Sequence, residues 1–256
     1  MLRTRVVVSA LAYDVVWEAE RLGDKHNALL TASPGATWEQ RLEYARAALR
    51  ELTEAGLADG ESVHPDLVAA LRLLARPQHE VYGWFTPEPG SPAVGVLAAA
   101  SGTDAVLAVL HDGWLTLEPV EAGKLPEAVA RLLPERNALR TTVLSFPLDE
   151  STVDEQGLLR RVGGRDGGAA RAQRLFERER LGAGQFRVAR RDGNGVREIA
   201  EFPLDYVDTE AGRYLACRQP GPDGAPWGLV LPGTPTELVQ RLRGQLQGPL
   251  TRPQPV

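Results

Sequence analysis

The sequence predicts an α+β protein: short antiparallel strands forming one continuous sheet or two abutting sheets, with the helices of each half packed as a bundle against them, arranged as a quasi-two-fold internal repeat. Three observations carry this. First, the stretch from Gly184 to Leu231 alternates strand-like runs with turn chemistry. The turn Asp192-Gly193-Asn194-Gly195 tolerates positive φ and marks a hairpin between Gln185–Arg191 and Val196–Leu204. An acidic-glycine connection, Asp208 to Gly212, leads to a strand over Gly212–Arg218, and a Pro/Gly turn leads to another over Trp227–Leu231. Short connections of this kind make a meander rather than a βαβ unit. Second, four strands are expected before it, over His79–Thr86, Ala93–Ala100, Ala105–His111 and Trp114–Glu118. Third, Trp114-Leu-Thr-Leu-Glu-Pro119 parallels Trp227-Gly-Leu-Val-Leu-Pro232, and each leads to a helix opened by proline. One domain over residues 1–256 with repeats at 1–134 and 140–250, joined near Pro134–Leu139, follows from that parallel.

The remaining elements are read in order. Arg5–Ser9 is a β-branched strand, and Ser9 caps a helix over Leu11–Leu22 that Gly23 ends. Thr37 with Gln40 forms a capping box for a helix whose apolar stripe is Trp38, Leu42, Ala45, Leu49 and Leu52. Pro65 opens a helix carrying Leu67, Ala70, Leu71 and Leu74 on one side. A helix over Pro126–Leu133 closes the first half. In the second half a strand spans Arg140–Phe146, and helices are expected over Leu148–Val162 and Ala169–Leu181. The last helix starts at Thr234-Pro235-Thr236-Glu237, with Val239, Leu242 and Leu246 as its stripe.

Composition narrows the function classes. The 256 residues can bury a sizeable core, and a net charge of −5 gives no general affinity for nucleic acid or anionic membranes. One cysteine, Cys217, excludes an internal disulfide framework and fits a reducing compartment. No stretch has the apolar length of a membrane span or signal core, so a soluble cytoplasmic protein is expected.

Chemistry-bearing patterns are sparse. The four histidines, His26, His64, His79 and His111, lie neither four residues apart nor near the cysteine, so no zinc site is supported. There is no nucleophile elbow, and no catalytic residue or cofactor is assigned. The run Gly163–Gly168 is the one phosphate-loop candidate; it lacks the Lys-Ser/Thr ending of a P-loop. It would serve the alternative reading, a small-molecule or nucleotide-binding enzyme. Between Arg160 and Arg197 there are eleven arginines against four acidic residues, a local excess of seven positive charges. That patch suits an acidic protein partner better than nucleic acid, for which no binding motif is present.

An ordered set of segments resembles the EspG family, the secretion-associated proteins of actinobacterial type VII (ESX) systems. These are Tyr13-Asp-Val-Val-Trp-Glu18, Ser33-Pro-Gly-Ala-Thr37, Leu71-Arg-Leu-Leu-Ala-Arg-Pro77, Ala105-Val-Leu-Ala-Val109, Gly184–Asp192, Asp208–Tyr214 and Pro220–Trp227. They span nearly the whole chain and look like the branch found outside mycobacteria. The resemblance implies the family's fold, a central antiparallel sheet flanked by helical bundles with quasi-two-fold symmetry, and a non-enzymatic cytoplasmic chaperone or adaptor, a monomer or homodimer. Its partner would be a PE–PPE heterodimer or related helical secretion substrate, gripped at the apolar helical tip of the PPE-like subunit. Neither nucleic acid nor membrane insertion is implied. The family's partner lies against the sheet and the C-terminal helical bundle, and the connection Pro87–Pro92, short here, contributes in family members with a longer one. The residues expected to bind are therefore strand residues of the second half: Phe186, Val188, Arg190, Phe202, Leu204 and Tyr206.

Overall fold

A computed structural model describes residues 1–60, 62–148, 158, 167–221 and 224–252. The chain divides into two compact units, Met1–Tyr82 with Val94–Val129, and Gly83–Ala93 with Ala130–Val256. Both are antiparallel strands with helices packed on them, as the α+β reading expects.

The first unit begins with β1 (Val6–Ser9), α1 (Ala10–Ala19), α2 (Trp38–Glu54), the small hairpin β2 (Ala58–Asp59) and β3 (Ser62–Val63), and α3 (Pro65–Ala75). The strand β4 (His79–Thr86) crosses the boundary between units at Tyr82. Then follow β5 (Val94–Ser101), β6 (Asp104–His111), β7 (Trp114–Pro119) and α4 (Leu125–Ala130). Strands of this unit pair in the order β1-β7-β6-β5-β4. Seven of the eight residues of β5 are buried, which its small, β-branched composition permits on both faces. The Ser9 hydroxyl accepts from Ala12 N at 3.0 Å, and Thr37 and Gln40 close their capping box, as the sequence indicates.

The loop between α1 and α2 is held by a buried carboxylate. Asp14 accepts from Lys25 and, at 2.6 Å, from the Ser33 hydroxyl, with Arg41 3.6 Å from its second oxygen. One expectation for α2 fails. Leu52 and Ala48 are buried and Ala45 and Leu49 half-buried, but Leu42 is exposed and Trp38 is 76% exposed. Over its first two turns the stripe therefore faces solvent.

The second unit contains β8 (Leu144–Pro147), α5 (Gly167–Phe176), β9 (Gly182–Arg191), β10 (Arg197–Ile199), β11 (Leu204–Thr209), β12 (Gly212–Pro220), β13 (Pro226–Pro232) and α6 (Pro235–Gln247). Its order is β9-β11-β12-β13-β8, with β10 on β9. The Asp192 turn forms as expected, its carboxylate accepting from Asn194 N and Val196 N at 2.9 and 2.8 Å. The single strand expected over Val196–Leu204 is instead two. Ile199 pairs with Ala189, and Leu204 pairs with Phe186, so the register on β9 shifts by two residues across the bend at Glu201–Pro203. Pro203 has no N–H to give to the ladder, which is why the bulge falls there. The strand β11 then runs on to Thr209, so the connection to β12 shrinks to Glu210-Ala211. The strand expected from Arg140 starts only at Leu144, and the expected helix ends are shifted: α4 begins at Leu125, α5 at Gly167. The helix expected over Leu148–Val162 and most of the Gly163–Gly168 run lie outside the described residues.

Helices cover both faces of this unit's strands. On one face Ala169, Ala172 and Phe176 of α5 meet Phe146, Val207, Tyr214, Ala216 and Val230. On the other, α6 lies against Leu204 and Cys217. That second face also carries a stack of Phe186 on Tyr206, with centroids 6.1 Å apart. Gly184 makes room for the stack: a Cβ there would sit 2.5 Å from Tyr206 Cε1 and from Phe85 Cβ.

At the far end of β11 and β12, Arg213 Nε and Nη2 donate to Asp208 at 2.6 and 2.8 Å, and Nη2 also donates to the Pro134 carbonyl at 2.8 Å. Asp208 and Arg213 are both buried. Removing one partner of such a pair strands the other charge away from water, at a cost of about 3–5 kcal/mol. Asp208→Ala and Arg213→Ala are each expected to lower the unfolding free energy obtained from urea titration by that much. The double variant Asp208→Leu/Arg213→Met is expected to lose much less than the two together. Equal and additive losses would show the pair uncoupled.

Cys217 is buried on the α6 side of β12, and that burial pushes its thiol up to about 11. It therefore stays protonated at neutral pH. At pH 8 the folded protein is expected to react with a disulfide reagent on the order of 100-fold more slowly than the urea-unfolded chain, where the thiol is near its ordinary value. Comparable rates would contradict the burial.

Candidate partner-binding surface

Two of the six residues expected to bind a partner expose surface, and four do not. Phe186, Val188, Leu204 and Tyr206 are fully buried. Burial, and to a lesser degree the charge of Asp208, holds the Tyr206 hydroxyl well above the ordinary phenol range. These four share a face because Leu204 stands opposite Phe186 and the side chains alternate along each strand. That face lies on the α6 side, so burial follows from the helix that covers it. For the same reason a Phe186→Asp change would bury an unpaired carboxylate and disrupt the fold.

Phe202 and Arg190 are half-buried. Phe202 sits in the bend rather than in a strand. It stands at the mouth of a groove of about 830 Å³ between α6 and the β11–β12 strands. Leu204 and Cys217 form part of its floor, and Arg218, Arg241 and Gln245 line its polar sides. The Arg218 guanidinium lies 5.8 Å from the Phe202 ring centre. Gln245 Nε2 donates to the Phe202 carbonyl at 3.2 Å, and Arg241 pairs with Glu237 at 2.7 Å. Arg190 reaches the same end of α6, donating to the Leu246 carbonyl at 3.5 Å and lying 3.6 Å from Glu198. The fold thus brings Arg190, Phe202 and Leu204 to one place, with Phe186, Val188 and Tyr206 deeper on the same face. An apolar floor with arginine and amide groups at the rim can take an apolar helical end and satisfy its polar edge.

Sequence reasoning missed Arg218 and the α6 side chains. The signal was present: α6 is amphipathic, and Arg218 falls beside the bend once β12 is paired with β11. A second opening of about 620 Å³ is formed by Trp84, Glu88, Pro89 and Gly90 with Arg180 and Gln185. It places the short Pro87–Pro92 connection beside β9.

Among the described residues no group of three or more His, Cys, Asp or Glu could hold a metal ion. His26 is packed instead: its Nδ1 accepts from Ala28 N at 3.1 Å, and its ring meets Tyr82 edge-on at 4.6 Å. No helix among the described residues is long and apolar enough to cross a membrane.

Comparison with known proteins places the chain. No curated protein matches it. A solved structure of the Mycobacterium tuberculosis type VII secretion system chaperone EspG5, in complex with a PE25–PPE41 dimer, matches with a TM-score of 0.67 at 16% identity. The match covers 95% of this chain and 97% of that one, and at this identity it is a likeness of fold. The sequence model of the EspG family matches residues 9–244, nearly the whole of the chain, and the protein belongs to the EspG family.

Proposed function

We propose that this protein is a cytoplasmic, non-enzymatic chaperone or adaptor of type VII secretion that shields the apolar helical tip of a PPE-like substrate. Membership of the EspG family is the observation that carries the reading. The fold it shares with a chaperone solved together with a PE–PPE dimer supports it. The α6 groove is the surface we assign to the client. Phe202 would offer apolar contact, with Leu204 behind it, while Arg190 and Arg218 would hold polar groups at the rim of the client's tip. The four buried residues Phe186, Val188, Leu204 and Tyr206 would act by shaping this surface from beneath. We also read the common plan of the two units, antiparallel strands followed by a closing helix, as an internal repeat with boundaries at 1–134 and 140–250.

The test is co-expression with a PE–PPE pair or related helical secretion substrate from the same host, followed by affinity capture. The wild-type protein is expected to retain one such substrate. Phe202→Asp, at a half-exposed position, is expected to weaken capture by 10-fold or more, about 1.4 kcal/mol, with an unchanged circular dichroism spectrum. Phe186→Asp is expected to fail by unfolding, seen as loss of that spectrum. Full capture by a folded Phe202→Asp variant would remove the groove from the interface. Absence of any helical secretion substrate across hosts and clients would overturn the chaperone reading.

A further inference from the structure

The arginine-rich region resolves in the fold into something more local than a patch. Arg171, Arg174 and Arg178 recur three and four residues apart along α5 and just beyond it, so they fall on one side. Arg136 and Arg140 come from the segment before β8. All five line one cleft of about 860 Å³, closed at its end by the Thr209–Gly212 turn. None of the five makes an ion pair with another described residue. Glu210 is the one carboxylate among the described residues of the lining.

The cleft is anchored. Leu139 N donates to the Arg213 carbonyl at 2.7 Å, and Arg213 N donates to the Asn137 carbonyl at 2.8 Å. With the Arg213 side chain on the Pro134 carbonyl, residues 134–139 are held against β12 by three hydrogen bonds. Arg136 and Arg140 are thus carried on a fixed backbone opposite α5. Five guanidinium groups gathered this way repel one another, and a run of carboxylates would relieve that repulsion through charge-assisted, bidentate bonds.

We propose that this cleft binds an extended, acidic segment of a partner protein. Charge complementarity selects carboxylates or phosphates. The lining then chooses between peptide and nucleic acid. Among the described residues it contains no aromatic ring on which a base could stack, and it offers Leu139, Leu144, Leu175 and Leu181 to aliphatic side chains. A chain with a net charge of −5 also repels a long polyanion beyond the cleft itself. The cleft lies on the α5 side of the second unit's strands, away from the α6 groove, and its role does not depend on that groove being the client site.

The test uses the full chain and a fluorescein-labelled peptide of glutamates interspersed with leucines, followed by fluorescence anisotropy. Saturable binding is expected, weakening as salt rises. Arg171→Glu/Arg174→Glu/Arg178→Glu is expected to weaken it 10-fold or more. Arg136→Glu/Arg140→Glu, on a separate segment, is expected to do the same, so that misfolding of one variant leaves the other to decide. Arg46→Glu/Arg50→Glu on α2 serves as the charge-matched control and is expected to bind as the wild type does. Three results would overturn the proposal: no saturable binding by the wild type, equal loss in the α2 control, or tighter binding of a single-stranded oligonucleotide of the same charge.

Discussion

The geometry of the second unit depends on the buried pair Asp208–Arg213. Two charges removed from water are tolerated because each satisfies the other: the guanidinium gives two bonds to the carboxylate and a third to a main-chain carbonyl. The pair sits at the closed end of the β11–β12 hairpin, directly opposite in register. Its guanidinium also lies 4.9 Å from the Tyr206 ring centre, which couples it to the aromatic stack on the α6 side. Through the Pro134 carbonyl and the main-chain bonds to Asn137 and Leu139, the same arginine fixes the segment that enters the unit. Both candidate surfaces, the α6 groove and the arginine cleft, are therefore built on backbone that this one residue holds.

Which face of a strand points inward can be read from alternation, but which side a helix covers cannot. Phe186, Val188, Leu204 and Tyr206 do share a face, as a period of two requires. Their apolar character is equally compatible with an open binding face and with a packed core, and α6 makes it the core. What remains accessible is the edge of that face. There the Pro203 bulge turns Phe202 outward, and Arg190 comes to the end of α6.

Where the sequence carried a local, self-sufficient signal, the structure follows it: the Ser9 cap, the Thr37–Gln40 box, Pro65 and Pro235 at helix starts, and the Asp192 hairpin. Errors arose where tertiary context decides. Asp208 and Glu210 looked alike as turn carboxylates. Asp208 is in fact a buried strand residue because Arg213, five positions on, neutralises it across the ladder. Trp38 and Leu42 obey helical spacing yet remain exposed, since periodicity records an apolar stripe without saying what lies against it. The arginine cleft was only half legible: three of its members fall in the Arg160–Arg197 region, while Arg136 and Arg140 join them only through the fold.

Hydrogen–deuterium exchange of the protein with and without its helical client addresses the central claim most directly. The account predicts added protection on the Glu201–Leu204 bend, the end of β12 around Arg218, and the facing turns of α6. Client-induced protection confined to the exposed Trp38–Leu42 turns of α2, with the bend and α6 unchanged, would contradict it.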